Sequence, residues 1–166
     1  MSKKPILLGG MVAGLLTVVM LAARAEPEHP HAMHEQHKGD AQVTDNRTLV
    51  TLPKQMRIHT LANMRDHLLS LQEIQTALAE GRFDDAGEIA EQRLGMTSLE
   101  SHGAHEVGQF MPDKMRQLGT DMHRAASRFA VVVKDAGVED DVKPALRALS
   151  RVTRSCVACH SAFRYH

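Results

Sequence analysis

The sequence predicts an all-α fold, an antiparallel four-helix bundle, and three observations carry that expectation. Apolar residues recur at steps of three and four over four separate stretches, the spacing that lays a stripe along one face of a helix. The 166-residue chain is rich in Ala, Leu, Arg, Glu and Gln, which favour helix, while windows that alternate β-branched and polar residues are scarce, so no strands are expected. Proline and glycine stand between the stripes, and the connections are short, as an up-and-down bundle requires. With 20 basic and 20 acidic residues the formal charge cancels, so neither a nucleic acid nor a strongly basic partner is expected.

Residues 1–25 read as a signal peptide. Lys3 and Lys4 make a positive start, Ile6 to Ala22 is an apolar run, and Ala23 and Ala25 frame a small-residue cleavage site before Glu26. An uncleaved anchor is the competing reading, but Gly9, Gly10, Gly14 and Thr17 dilute the run. No membrane span is therefore expected in the mature chain, and export places it in an oxidising compartment. Residues 26–52 form a polar lead with Pro27, Pro30 and Gly39 and little to bury. His29, His31, His34 and His37 in this lead offer neutral imidazoles to a divalent metal, against the plainer reading of a polar linker.

Residues 53–166 carry the helices. Pro53 opens the first and Gly81 closes it, with Leu61, Met64, Leu68, Leu71, Ile74 and Leu78 as its stripe. Asp84 is expected to cap the second, whose weaker stripe is Ala86, Ile89, Ala90, Leu94 and Leu99. Gly103 to Met111 interrupts the pattern. Pro112 suits the first turn of the third helix, which buries Met115, Leu118, Met122, Ala125, Phe129 and Val132 and stops at Gly137. Asp140 and Asp141 begin the fourth, with Val142, Leu146, Leu149, Val152, Cys156, Cys159 and Phe163 on its buried face. The stripes need no function to explain them, and every methionine in them is core unless something more is shown.

The only cysteines, Cys156 and Cys159, stand three residues apart with His160 behind them. A structural zinc site needs four ligands, and here one knuckle is missing. A thioredoxin-like pair sits at a helix start after a strand, whereas this pair ends a helix. The third use of C-x-x-C-H is covalent haem attachment. There the two thiols add across the vinyl groups as thioethers and the histidine reaches the iron. Export fits that use, because haem c is attached outside the cytoplasm.

The terminal "CVACHSAFR" resembles the C-x-x-C-H-x-x-[FY]-[RK] ending of the class II c-type cytochromes, the cytochrome c prime family. The resemblance spans roughly residues 53–166; it is specific at the haem motif and architectural elsewhere. It implies one covalently bound haem c per chain, with Cys156 and Cys159 as thioether residues and His160 as proximal ligand. It also implies Phe163 beside the haem and Arg164 on the His160 side. The His-bearing lead departs from the family's compact start. The family divides at the sixth ligand. In one branch an apolar side chain shields a five-coordinate iron that binds NO or CO. In the low-spin branch a first-helix methionine closes the site, which suits electron transfer.

In the family the distal residue lies nearly five turns before the glycine that ends the first helix. Met64 fits that separation from Gly81 better than Leu61 does, and Met56 lies too near the helix start. His59 and His67 fall beside the stripe. Met64 is therefore the expected distal ligand, with a five-coordinate site under Leu61 as the alternative. Arg57, Arg65, Arg154 and Arg164 are candidate partners for haem propionates. His102 and His105 are expected to be solvated.

No phosphate loop, G-x-S-x-G or H-E-x-x-H pattern is present, so the chain is not expected to be an enzyme. The expected function is one-electron transfer with protein partners in the periplasm. Gas binding and metal handling through the histidine-rich lead are the rivals. Family members often dimerise through their first two helices, which makes a homodimer the corresponding expectation here.

Overall fold

The computed structural model describes residues 44–165, and these are mostly helical. The expected signal peptide and His29, His31, His34 and His37 lie outside them. The order is β1 (Thr48–Val50), α1 (Lys54–Ala79), α2 (Phe83–Leu94), a short 3-10 turn (Met96–Ser98), α3 (Ala104–Gly108), α4 (Asp113–Glu139), α5 (Val142–Ala162) and β2 (Phe163–Tyr165).

Pro53 precedes α1 in extended conformation, and its carbonyl accepts the Arg57 N–H at 2.9 Å. The helix stops where expected. Gly81 takes a left-handed φ of 71°, which lets the Arg82 N–H return to the Ala77 carbonyl at 2.8 Å. That turn starts α2 two residues earlier than expected. Arg82 is the residue before it, and Asp84 lies within the first turn, where its charge faces the positive helix end. Leu99, expected on the α2 stripe, falls beyond the helix because Gly95 extends the backbone after Leu94.

Pro112 stands immediately before α4. Gly137 does not end that helix. It lies inside it, where an added Cβ would stand 2.9 Å from Cβ of Phe83, so its smallness admits the α2 side chain. The stop is Asp140, in a left-handed turn with φ 52°. Asp140 thus closes α4, and Asp141 alone caps α5, accepting the Lys143 N–H at 3.0 Å.

Neighbouring helices pack in the order α1–α2, α2–α4 and α4–α5. Their main core joins Ile74 and Leu78 to Leu94, Phe129, Val133 and Val152. Alanines let the backbones approach, and at Gly87 a Cβ would meet Val133 Cγ1 at 2.9 Å. A second core at the other end gathers Val50, Leu52, Val107, Met115 and Phe163. The helical steps are offset from expectation in places. Leu61, Leu68 and Leu146 are 37%, 68% and 49% exposed, while Thr60, His67 and Ser70 are buried on α1.

Two strands form where none was expected. β1 and β2 pair in parallel, with Leu49 opposite Arg164, and tie the entry to α1 to the exit of α5. The ladder is only three residues long, below what periodicity can reveal. Among the described residues no helix is long and apolar enough to cross a membrane.

Candidate functional site

The C-x-x-C-H stretch occupies the last turns of α5. Cys156 packs against the main core and Cys159 against the second, so the pair straddles both. The thiols are half-buried and unbonded to each other; Cys156 Sγ donates to the Val152 carbonyl at 3.6 Å. Burial pushes both thiols above their usual pKa, the opposite of what a nucleophilic thiolate needs.

Two cavities border this stretch and a third adjoins them. One, of about 400 Å³, is lined from α1 by Leu61, Met64 and Leu68 and from α5 by Cys156, Val157 and His160. It separates the two helices, which are not among the closely packed pairs. The second, of about 360 Å³, is lined by Met64, Met115, Cys159, His160, Phe163 and Arg164, among others. The third, of about 220 Å³, runs from Met64 to His67, His102 and His123. Met64 therefore borders all three, while Leu61 and His160 border two. The exposed leucines of α1 gain a meaning here: Leu61 and Leu68 face Val157, itself 65% exposed, across an apolar gap.

The strand pair frames the second cavity. Arg47 donates to the His160 carbonyl at 3.2 Å and grips Asp45, whose carboxyl is lowered to about 2 by hydrogen bonds from Arg47. Arg164 Nε stands 3.4 Å from Asp45 Oδ2, a charge contact without a hydrogen bond's geometry, and is otherwise buried and unpartnered. The Tyr165 hydroxyl, also buried without a partner, is pushed up to about 12 by burial. Arg65 borders the gap beside Cys156, whereas Arg57 and Arg154 border none of these cavities. Arg47 and Tyr165 gave no signal in the sequence, because their roles depend on a strand pair of high sequence separation.

The histidines also depart from expectation. His67 is 8% exposed and so belongs to the buried face of α1. His102 is partly buried, with its ring 4.8 Å from that of His67 and 5.4 Å from that of His123. Asn63 Nδ2 holds the His102 carbonyl at 3.1 Å, which fixes the loop against α1. Burial lowers His67 to about 4 and depresses His102 and His123 as well. His105 is exposed, as expected.

Compared with protein-family models, curated proteins and solved structures, the chain matches none.

Proposed function

We propose that this chain is an exported monohaem c-type cytochrome of the class II kind, a four-helix bundle that carries one electron at a time. The observation that carries the reading is the convergence on Met64. Two of the cavities that it borders also hold the Cys156–Cys159–His160 end of α5, inside a wall of uncovered apolar side chains. Leu61, Leu68 and Val157 are costly to leave in water unless a flat apolar group covers them, which is the fit a haem requires.

Haem c, when bound, supplies a reversible Fe(III)/Fe(II) couple. Cys156 and Cys159 would hold it by thioether bonds, His160 would ligate the iron, and Met64 would offer a soft thioether as a further ligand. Leu61, Leu68, Val157 and Phe163 would exclude water from it once it covers them. Arg164 and Arg47 set positive charge on the second cavity, where haem carboxylates can pair. Cleavage before Glu26 would release the mature protein into the periplasm, where redox proteins are its partners. No enzymatic step belongs to this reading.

The branch that binds NO or CO at five-coordinate iron has one observation in its favour. Leu61 borders the same two cavities as His160, so it also stands where a distal shield would.

Staining denaturing gels for haem peroxidase activity tests the reading. Wild type stains, single Cys156→Ala or Cys159→Ala variants keep one thioether, and the double variant loses the stain. A double variant that still stains would sink it.

A further inference from the structure

His67, His102 and His123 come from α1, the loop before α3, and α4, and converge on one cavity. Packing alone does not account for them, because each ring keeps a nitrogen in hand. His67 Nε2 is buried with no hydrogen-bond partner, on a residue 8% exposed. His123 Nδ1 lies 2.8 Å from the Leu94 carbonyl, which only accepts, so Nδ1 carries the proton and Nε2 the lone pair. Ser98 gives its hydroxyl proton to the Gly95 carbonyl at 2.7 Å. Its oxygen can then only accept from His102 Nδ1 at 3.4 Å, which leaves His102 Nε2 as a second lone pair. A partner that fixes one ring nitrogen and frees the other is the outer-shell arrangement of metal-binding histidines.

We propose that His67, His102 and His123 form a three-imidazole site for a divalent transition metal of the zinc or copper class, its fourth position open to water in the cavity. Neutral imidazole suits those ions. With metal–nitrogen distances near 2 Å, two imidazoles on one tetrahedral ion place their ring centres about 5 Å apart. The three separations here are 4.8, 5.4 and 6.1 Å. As the side chains stand, no three His, Cys, Asp or Glu of the described residues are gathered to hold an ion. The ring of His67 closes that difference by turning about its side-chain bonds, and its Nε2 has no hydrogen bond to break. Charge is accommodated nearby. Asp66, paired with Arg93, favours a cation at His67, and Arg93 partly offsets it. The Thr60 hydroxyl, buried and unpartnered on the same cavity, is available to a metal-bound water. His67 also borders the gap that holds Cys156 and His160, but none of the three imidazoles belongs to the C-x-x-C-H stretch, so the metal site needs no haem to form.

The test uses haem-loaded full-length protein with His29, His31, His34 and His37 changed to Gln, so that the lead binds nothing. Equilibrium dialysis against micromolar zinc is expected to load one ion per chain. His67→Gln, His102→Gln and His123→Gln should each weaken binding by at least 100-fold, and the exposed control His105→Gln should leave it unchanged. Ser98→Ala keeps all three rings but removes the support at His102 Nδ1, and should weaken binding about 10- to 100-fold. Zinc-edge X-ray absorption on the parent protein decides the matter even if a variant fails to fold: three imidazoles and no sulfur are expected. Absence of bound zinc, sulfur in its shell, or full binding by His67→Gln would overturn the proposal.

Discussion

Met64 and Leu61 stand about one turn apart on α1, and under the haem reading proposed above the choice between them separates electron transfer from gas binding. A thioether favours Fe(II), so Met64→Ala should raise the spin state of the ferric protein, lower the reduction potential and speed CO binding by the ferrous form. Met56, which packs against the second core and lines none of the three cavities, should tolerate Ala with all three properties nearly unchanged. Leu61→Ala should alter packing and access without changing the ligands. Spin state is read from the absorption spectrum and potential from a redox titration. A wild-type potential left unmoved by Met64→Ala would remove Met64 from the iron.

The buried histidines set a pH dependence. His67 has a folded pKa of about 4 against an ordinary value of 6.5. Between those values the unfolded chain binds the proton and the folded chain does not, so stability rises with pH across that window. In metal-free protein held with a chelator, the His67 contribution should be lost as pH drops below about 6.5 and change no further below about 4. The loss traceable to His67 is about 3 kcal/mol. His67→Gln should flatten the curve, as measured by urea unfolding at a series of pH values.

Among the elements, the α2–α4 crossing depends on Gly87, whose missing side chain admits Val133. Gly87→Val overfills a site where Val133 is fully buried and stiff at χ1, and should cost about 1–3 kcal/mol in denaturant unfolding. The helices themselves were legible, because Pro53, Gly81, Pro112 and Asp141 act locally on the backbone. Gly137 misled because a glycine that stops a helix and one that makes room for Phe83 look alike in sequence. Leu61 and Leu68 resemble core residues in being apolar at helical spacing, yet they line a gap. The histidine cluster was not legible at all. His123 lies among ordinary stripe residues, and only the loop carrying Ser98 and His102 brings the three rings together. The C-x-x-C-H motif was legible because its chemistry is contained in five consecutive residues.

At the scale of the whole molecule, two cores meet around cavities rather than around a filled centre. A group covering Leu61, Leu68 and Val157 therefore supplies apolar contacts that the chain lacks and that only the folded arrangement brings together. The haem-free chain should be helical but loosely packed, with broad melting and binding of hydrophobic dyes. Apoprotein that melts as sharply and as high as holoprotein would show that the cavities are not the haem site. The most direct test of the account is the absorption spectrum of the purified wild-type protein in its ferric and ferrous states. The account predicts a low-spin c-type haem spectrum with a weak sulfur-to-iron band in the far red, and slow reaction of the ferrous form with CO. A high-spin ferric spectrum with immediate CO binding, or no haem spectrum at all, would contradict it.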